Sequence, residues 1–587
     1  MQAANWQAPA AVQVGRKESS AMEQGTMADH APWPARAALL AVVGAVLGFL
    51  FDRALDGAGE NPARLAAASF VATGGIVLAL TLERVRWAWS IGFAVGCAAA
   101  VALIVYWNGS PEGWSAGNEW RMFSAFLAVA IAAPLFQSVR DEGGWKLGYA
   151  AVHSHAWTNI VMWFAGWAFV LIAFLLAFLL AELFNLIGVT LLRDDLRESA
   201  FAFALGGAAG GAASGLLRDR DKVLALLQRV VTTILSVLAP VLALGLILFV
   251  LALPFTGLRK LWDETSSTTP ILLVAVAGAF LLANAVIGNA PEDEAKGRVL
   301  RWSAMTLGLV MTPLAVVAAV STWLRIDQYG FTPERLWALV FLIVVVAVSG
   351  AYLWALLRGR LIWAERIRPL NVRIALALSM LALLLATPLI DFGAISTRDQ
   401  LARLTSGRTS AERFDWAALR FDFGPSGRAA LERLRDSGAA PLRARAAQVL
   451  AASDRGSIDE PRVAATLVDR LRVIPAPAEL PPQLRDAVAG SSVCSFGQCT
   501  VYWEPGSLVA VAVGFPCKGC LVDAARLRLG DDGIWQARAT QDQDLVAAQP
   551  VSLEEQRAAV ERGEVEVRRV ERRQVYVGGK PVAQPFE

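Results

Sequence analysis

The sequence predicts an α-helical polytopic membrane protein with about eleven transmembrane helices, followed by a small α+β soluble C-terminal domain. Three observations support this fold class. Of the 587 residues, 56% are hydrophobic and 18% are charged, whereas about a quarter of the residues in soluble domains are charged. The apolar residues are concentrated in residues 36–392. Beyond them the chain turns polar, and residues 475–587 combine strand-like alternation with a group of cysteines.

Residues 1–35 are polar and lack the apolar core and cleavage site of a secretory signal peptide. We therefore expect a disordered N-terminal tail. Met27 lies shortly before the first apolar segment and is an alternative start of the chain.

The apolar region contains eleven segments that suit membrane-crossing helices, each of which takes roughly 20 residues. They are residues 37–51, 65–82, 88–107, 120–139, 156–181, 200–217, 230–253, 270–287, 302–324, 336–357 and 374–392. The first is short, and the fifth continues through 183–192 as a broken or interfacial helix, so counts of ten and twelve stay open. Thr332 and Pro333 suit the N-cap and first position of the tenth helix.

Lysine and arginine collect in cytoplasmic loops, and their distribution predicts the orientation. With the N-terminus inside, the cytoplasmic loops carry fifteen of these residues and the external loops carry eight. The loop before the last helix holds Arg358, Arg360, Arg366, Arg368 and Arg373. This places the N-terminus in the cytoplasm and the C-terminal part in the periplasm. The excess of arginine over lysine favours a bacterial source, and therefore an inner membrane.

Residues 206–215 read GGAAGGAASG, which puts Gly207, Gly211 and Gly215 on one helix face. Small residues four positions apart let helix backbones approach closely in lipid. A phosphate-binding loop would end in Gly-Lys and a hydroxyl residue, which this segment lacks. We therefore expect it to pack against another helix.

The polar C-terminal part divides into two regions. Residues 393–474 have apolar residues at helical spacing and predict a periplasmic helical segment. Residues 475–587 predict a cysteine-containing, β-rich periplasmic domain with strands near 500–503, 508–515, 526–529, 534–538, 575–577 and 581–583.

The β-rich domain holds four of the five cysteines: Cys494, Cys499, Cys517 and Cys520. Structural disulfides suit an oxidising periplasm. Four thiolates could instead bind zinc, and Cys517 and Cys520 also have the spacing of a redox pair. These three interpretations stay open. Cys97 lies in a membrane segment and is interpreted as a packing residue.

Polar side chains within apolar segments are costly and are therefore candidates for function. The candidate membrane polar site comprises Glu182, Asn185, Asn284 and Asp391. Glu182 and Asn185 share a helix face, and Asp391 ends the last segment. An interfacial position explains them simply, and an outward-facing cation or proton site is the alternative. Asn284 lies deeper, where an interhelical hydrogen bond is simpler than a ligand.

The sequence contains no nucleophile elbow, Walker motif, zinc-protease motif or dinucleotide fingerprint. His153 and His155 could bind a metal, but no neighbouring pair of cysteines or carboxylates completes the ligand set. We therefore expect neither an enzyme nor a cofactor. The net charge of +3 gives no indication of a nucleic-acid partner.

Several motifs stand in a characteristic order. They are HAWTN (155–159), PFTGLRKLW (254–262), LANAVIGN (282–289), RIDQYGFTPERL (325–336), NVRIAL (371–376), TPLIDFGAISTRDQLARL (387–404) and FDWAALRFDFGPSGRAAL (414–431). In order and spacing they resemble a bacterial membrane protein family, domain of unknown function 4153, over roughly residues 130–435. The family has no assigned activity, so the resemblance implies no functional residue.

Two functional hypotheses follow. The first is an envelope scaffold or sensor, in which the bundle lies in the lipid bilayer and the periplasmic domain binds an envelope protein or wall component. The alternative is a transporter or channel-like carrier for a small solute or ion. A carrier predicts discontinuous helices near the membrane centre, for which Pro240 and Pro313 are the candidates. A lipid-handling enzyme is the third hypothesis.

Overall fold

The fold is that of a computed structural model. It describes residues 33–59, 61–110, 114, 116–256, 268–411, 413–453, 455, 458, 467, 470–475, 480–494, 496–515, 522–530, 533–539, 553–562, 564, 576–577 and 580–581. The expected disordered tail, apart from residues 33–35, lies outside the described residues.

Long α-helices make up the N-terminal part of the described chain. They are α1 (Ala35–Leu55), α2 (Pro62–Thr81), α3 (Trp87–Asn108), α4 (Ala116–Glu142), α5 (Tyr149–Leu186), the short α6 (Leu191–Asp195), α7 (Ser199–Arg218), α8 (Asp221–Thr256), α9 (Thr268–Ile287), α10 (Arg298–Tyr329), α11 (Pro333–Gly359) and α12 (Trp363–Ala386). Within the described residues, ten stretches are long and apolar enough to cross a membrane, and the last, Pro333–Ala386, contains both α11 and α12. The protein is therefore a multi-pass membrane protein, as predicted. The extension expected over 183–192 is different in the structure: α5 itself continues to Leu186, and the short α6 shares only Leu191 and Leu192 with the expected range.

Side-chain caps and prolines set several helix boundaries. The Asn61 side chain accepts a 2.9 Å hydrogen bond from the Ala63 amide at the start of α2. Thr332 caps α11 as predicted, since its side chain accepts a hydrogen bond from the Arg335 amide. The prediction for the last membrane helix, 374–392, begins and ends too late: α12 extends from Trp363 to Ala386 and ends immediately before Thr387 and Pro388. Proline disfavours helical backbone at the residue that precedes it.

Contacts between helix ends show that the helices alternate in direction. Arg36 at the start of α1 and Arg218 at the end of α7 both form ion pairs with Glu83, between α2 and α3. We call this end of the bundle the Arg36 end. At the opposite end, the Trp120 ring of α4 lies 5.9 Å from the Trp337 ring of α11. Such alternation is what successive membrane crossings require.

The glycine segment of α7 packs against α1, as predicted. A Cβ atom added to Gly211 would collide with the Leu40 carbonyl group, and one added to Gly207 would collide with that of Gly44. The two backbones are therefore in direct contact along this face, as small residues permit in lipid. Gly206 and Gly210 face α5 instead, where an added Cβ would reach ordinary van der Waals distance.

The largest buried apolar cluster lies among helices α8 to α12. Its fully buried large side chains include Leu307, Met311, Leu314, Trp363 and Ile367. Helices α8 and α10 continue through Pro240 and Pro313. These two prolines therefore do not divide the helices that contain them.

The chain divides into two compact units. The helical unit extends to Arg403 and includes Asp422–Ser426, and the C-terminal unit comprises Leu404–Phe421 and the chain from Gly427 onward. The helices that follow the bundle are α13 (Phe392–Thr405), a π-helical turn (Ala418–Asp422), α14 (Gly424–Ser437) and α15 (Ala440–Ala451). They agree with the helical segment predicted after residue 392.

A five-stranded sheet forms the centre of the C-terminal unit. Its strands lie in sequence order: β1 (Leu471–Ile474), β2 (Phe496–Tyr502), β3 (Val509–Phe515), β4 (Asp523–Leu529) and β5 (Trp535–Ala539). β1 and β2 are parallel, and the other pairs are antiparallel. Helices α16 (Pro482–Gly490) and α17 (Leu553–Arg562) and the ribbon β6 (Tyr576–Val577) and β7 (Lys580–Pro581) complete the described unit. The predicted α+β domain is confirmed, but β1 lies in the segment predicted as helical.

One face of the sheet is covered by α16. Leu484 and Val488 of α16 pack with Val501, Ala512 and Leu527 of three strands in one buried cluster. Alternation along β4 leaves Arg526 and Arg528 exposed on the opposite face. The unit therefore has an apolar core of its own.

Candidate functional site

The four candidate membrane polar residues lie in three different places. Glu182 and Asn185 contact each other near the end of α5, and Glu182 lies 3.7 Å from the guanidinium of Arg193 on α6. The Glu182 side chain is 62% exposed. This pair therefore lies at the surface of the bundle, and its interfacial position stays a prediction.

Asp391 begins a helix and does not end one, which corrects its predicted position. Its carboxylate accepts a 3.1 Å hydrogen bond from the Ala394 amide in the first turn of α13. The Ser426 hydroxyl donates a second one, of 3.2 Å. The contact with the Ala394 amide is that of an N-cap residue, and the contact with Ser426 links α13 to α14.

Asn284 lies in a buried polar cluster between α9, α11 and α12. Its side-chain amide donates 2.6 Å to the Tyr352 hydroxyl and 2.8 Å to the Phe280 carbonyl. Its carbonyl oxygen accepts 2.7 Å from the Asn371 amide. Tyr352 is fully buried and Asn284 is 6% exposed. The interhelical hydrogen bonds expected for Asn284 are therefore present.

A second polar group lies beside the end of α9. The His153 ring on α5 lies 2.5 Å from the Asn289 side-chain oxygen and accepts a 3.2 Å bond from the Trp157 indole. Arg368, buried in α12, donates 2.7 Å to the Ile287 carbonyl and pairs with Glu294 at 3.3 Å. Arg368 thus satisfies a carbonyl group that the end of α9 leaves without a helical partner.

The two histidines contact different partners. His155 lies 3.0 Å from the Asp141 carboxylate, whereas His153 faces Asn289. The HAWTN motif also places Asn159 against α4, where its amide donates 2.8 Å to Gln137. The HAWTN motif therefore joins α5 to α4.

The Arg36 end of the bundle contains a network of ion pairs around Glu83. Arg36 Nη2 lies 2.7 Å from Glu83, and Arg218 contacts the other carboxylate oxygen. Arg36 lies 3.6 Å from Asp219 as well. Burial of the Glu83 carboxyl opposes its ionisation, but the charges of Arg218 and Arg36 outweigh that effect and lower the pKa of Glu83 below its ordinary value.

The RIDQYGFTPERL motif contacts a second family motif on α13. Asp399 accepts a 2.8 Å bond from the Phe331 amide, and Gln400 donates 2.9 Å to the Tyr329 carbonyl. Gly330, with φ of +77°, lies between them. A Cβ atom there would lie within 2.7 Å of three α13 side chains. The turn that precedes α11 is therefore clamped by α13.

The structure joins Cys494 and Cys499 in a disulfide. Both residues are fully buried, next to Val493 and Val501 in the core of the sheet. Because these sulfurs are bonded to each other, they are not available as two ligands of a four-thiolate zinc site. Cys517 and Cys520 lie outside the described residues, so the redox interpretation stays a prediction.

Sequence reasoning did not single out Glu83, Tyr352 or Asn371. Glu83 has an arginine neighbour, Arg84, which made the segment resemble an ordinary charged loop. Asn371 stands within the NVRIAL motif, four positions before Ala375 in an apolar run. The polar Asn371 at the start of a largely apolar family motif was the signal in the sequence that indicated a buried polar cluster.

Comparison with known proteins gives one match. No curated protein and no solved structure matches the chain. A family profile described as "Domain of unknown function (DUF4153)" matches residues 65–434, which is more than half of the chain. The match begins earlier than the expected start near residue 130 and ends close to the expected residue 435. The cysteine-containing sheet lies beyond it. The resemblance seen in the motifs is confirmed, and the chain belongs to the DUF4153 family.

Proposed function

We propose that the protein is an envelope scaffold or sensor of a bacterial inner membrane, in which the helical unit anchors a periplasmic C-terminal unit that binds a protein or wall component. The observation that carries this proposal is the independent core of the C-terminal unit, with the Cys494–Cys499 disulfide inside it. Structural disulfides persist in oxidising compartments such as the periplasm.

The arrangement of the helices supports this orientation. The described residues form eleven long apolar helices when α11 and α12 are taken separately, and an odd number of crossings would put the two termini on opposite sides of the membrane. Helices α1, α2 and α7 meet at the Arg36 end through Arg36, Glu83 and Arg218. The positive-inside rule assigns this end to the cytoplasm. The C-terminal unit then lies in the periplasm.

The interior of the helical unit supports an anchoring role. Three of its polar side chains, Asn284, Tyr352 and Asn371, pair with one another. The surrounding cluster is apolar and includes Leu307, Met311 and Trp363. Hydrogen bonds of this kind join transmembrane helices to one another. A bundle held together in this way suits a stable platform.

Cysteine labelling of the full chain tests the orientation. The background carries Cys97→Ala, Cys517→Ser and Cys520→Ser and keeps the buried disulfide. One reporter is Glu504→Cys, at an exposed position between β2 and β3, and the matched reporter is Lys146→Cys, exposed between α4 and α5. We expect a membrane-impermeant maleimide to label Glu504→Cys in intact spheroplasts and Lys146→Cys only after lysis. Labelling of Lys146→Cys alone in intact spheroplasts would reverse the orientation and refute periplasmic display.

A carrier is the second candidate, and the buried cluster of Asn284, Tyr352 and Asn371 favours it. Polar groups inside a membrane bundle can mark a solute pathway. Asn284→Cys tests this, with the fully buried neighbour Ala283→Cys as the matched control. Reaction of Asn284→Cys with a small water-soluble thiol reagent, without reaction of Ala283→Cys, would show an aqueous path and support a carrier. Equal protection of both cysteines would support the anchor.

A further inference from the structure

The sheet of the C-terminal unit has one end with two protruding apolar side chains. Leu508 is 60% exposed just before β3, and Ile534 is 59% exposed just before β5. The backbone holds them close together. The Leu508 carbonyl accepts 2.9 Å from the Leu529 amide, and the Ile534 carbonyl accepts 2.9 Å from the Gly530 amide. Leu508 and Ile534 therefore flank the end of β4.

Among the described residues of the C-terminal unit, these two are the large hydrophobic side chains with the greatest exposure. The other apolar residues of the same strands, such as Ala510 and Leu527, are buried in the core. Leu508 and Ile534 are thus exposed, although the neighbouring apolar residues of the sheet are buried. The two side chains form a small exposed apolar patch at this end of the sheet.

Two arginines extend from the same end along the face opposite α16. Arg526 and Arg528 alternate with the buried Ala525 and Leu527 on β4 and are exposed. Strand register places Arg528 beside Val509 and Gln536. No described residue forms an ion pair with either arginine. Within the described part of the C-terminal unit, both guanidinium groups therefore lack an acidic partner.

The combination of apolar tips and adjacent arginines fits one partner in particular. A bilayer surface presents phosphate groups at its outer level and acyl chains a few ångströms deeper. Arginine binds phosphate with several donors at once. The helical unit of the same chain crosses a bilayer, so the C-terminal unit is tethered to a membrane.

We propose that this end of the sheet, formed by Leu508, Ile534, Arg526 and Arg528, docks on an anionic phospholipid surface. The two aliphatic side chains enter the boundary between headgroups and acyl chains, and the arginines bind headgroup phosphates. The docking does not depend on which side of the membrane the C-terminal unit occupies, so it goes beyond the proposed function and can fail separately from it.

Lipid quenching of a fluorophore on the full chain tests the proposal. The reporter is Gln536→Cys, which register places beside Arg528. The matched control is Gln483→Cys. Gln483 is exposed on α16, the helix that covers the other face of the sheet. Both stand in the background without Cys97, Cys517 and Cys520. Each labelled protein is placed in nanodiscs of phosphatidylcholine alone or with phosphatidylglycerol, with nitroxide-labelled headgroups as the quencher.

We expect stronger quenching at residue 536 than at residue 483, increased by phosphatidylglycerol and weakened by salt, because exposed charges are screened. The double variants Leu508→Ser/Ile534→Ser and Arg526→Gln/Arg528→Gln should each lower quenching at residue 536 at least about twofold. All four side chains are exposed or at a strand surface, so these changes spare the core. Equal quenching at the two reporters, or full quenching in both double variants, would overturn the proposal.

Discussion

The Tyr352 hydroxyl accepts a 2.6 Å hydrogen bond from the Asn284 amide, and the Asn371 amide lies 3.3 Å from the same oxygen. One hydroxyl group thus joins α9 and α12 to α11 inside an apolar cluster. A buried donor that loses its acceptor still carries its desolvation cost. The Tyr352 oxygen therefore stabilises the contacts of both α9 and α12 with α11.

Removal of that hydroxyl should destabilise the bundle. We expect Tyr352→Phe to cost about 1–3 kcal/mol of unfolding free energy, since two amide donors lose an acceptor. The measurement is denaturant unfolding in detergent. Tyr106→Phe is the matched control, because Tyr106 is 52% exposed on α3. Equal effects of the two substitutions would show that the Asn284–Tyr352 contact does not stabilise the fold.

The glycine segment of α7 should respond to alanine on one face only. Gly211→Ala would place a methyl group against the Leu40 backbone, whereas Gly210→Ala would meet Val170 Cγ2 at 3.7 Å. We expect Gly211→Ala to lower thermal stability, at a cost of about 1–3 kcal/mol for overpacking, and Gly210→Ala to be close to neutral. Thermal aggregation of the detergent-solubilised chain measures both. A neutral Gly211→Ala would contradict the close approach of α1 and α7.

The turn before α11 should require glycine for two reasons. Gly330→Ala meets a positive φ and a crowded site between Asp399 and Arg403. Gly109, with φ of +75° and no neighbour near an added Cβ, isolates the first effect. We expect Gly109→Ala to cost about 1 kcal/mol and Gly330→Ala clearly more. Denaturant unfolding of the two variants in detergent measures the difference, and equal losses of stability would show that α13 does not clamp the turn.

Glu83 should make stability depend on acid pH. Its folded-state pKa is lowered from 4.5, so its contribution is fully present above that value and is lost as pH falls toward the lowered pKa. We expect the melting temperature of the wild type to fall below about pH 4.5 more steeply than that of Glu83→Gln.

At neutral pH, Glu83→Gln should itself cost about 3–5 kcal/mol, because it leaves two buried arginines without their carboxylate. Asp56→Asn is the control, since Asp56 is 84% exposed and pairs with Arg64 at 3.7 Å. It should change stability by less than about 1 kcal/mol. Parallel pH profiles for wild type and Glu83→Gln would contradict a role for this carboxylate.

The disulfide should stabilise the C-terminal unit. We expect Cys494→Ala/Cys499→Ala to lower its unfolding free energy by about 2 kcal/mol, the value typical of a loop this short. Limited proteolysis of the full chain, with and without reductant, measures the effect. Cys97→Ala is the control, because that thiol lies in α3 outside the unit. A reductant that leaves cleavage of the wild type unchanged would contradict the expectation.

The bundle was predictable from sequence because a bilayer dictates both the length and the apolar character of each helix. The helix-packing role of Gly207 and Gly211 was also predictable, because small residues four positions apart in a membrane helix let another helix backbone approach closely. Their partner on α1 was not, because nothing in local sequence identifies which distant helix approaches. For the same reason, the sequence did not predict that Asn284 pairs with Asn371 or that Glu83 pairs with Arg218.

Asp391 shows a different kind of error. An acidic residue after an apolar run predicts a helix end, but α12 ends earlier, immediately before Thr387 and Pro388. The carboxylate then opens the next helix. Proline and an N-cap residue in close succession were both visible in the sequence, and together they favour a new helix start.

The contact between α1 and α7 has a consequence for biogenesis. Gly211 is synthesised roughly 170 residues after Leu40, which at about 5–20 residues per second corresponds to about 10–30 s of translation. During that time α1 must remain in the membrane without the helix that fits its small-residue face. Helix α1 therefore meets its neighbour α2 early in synthesis and its neighbour α7 only late. Insertion factors that shelter a lone helix would act on this protein at that stage.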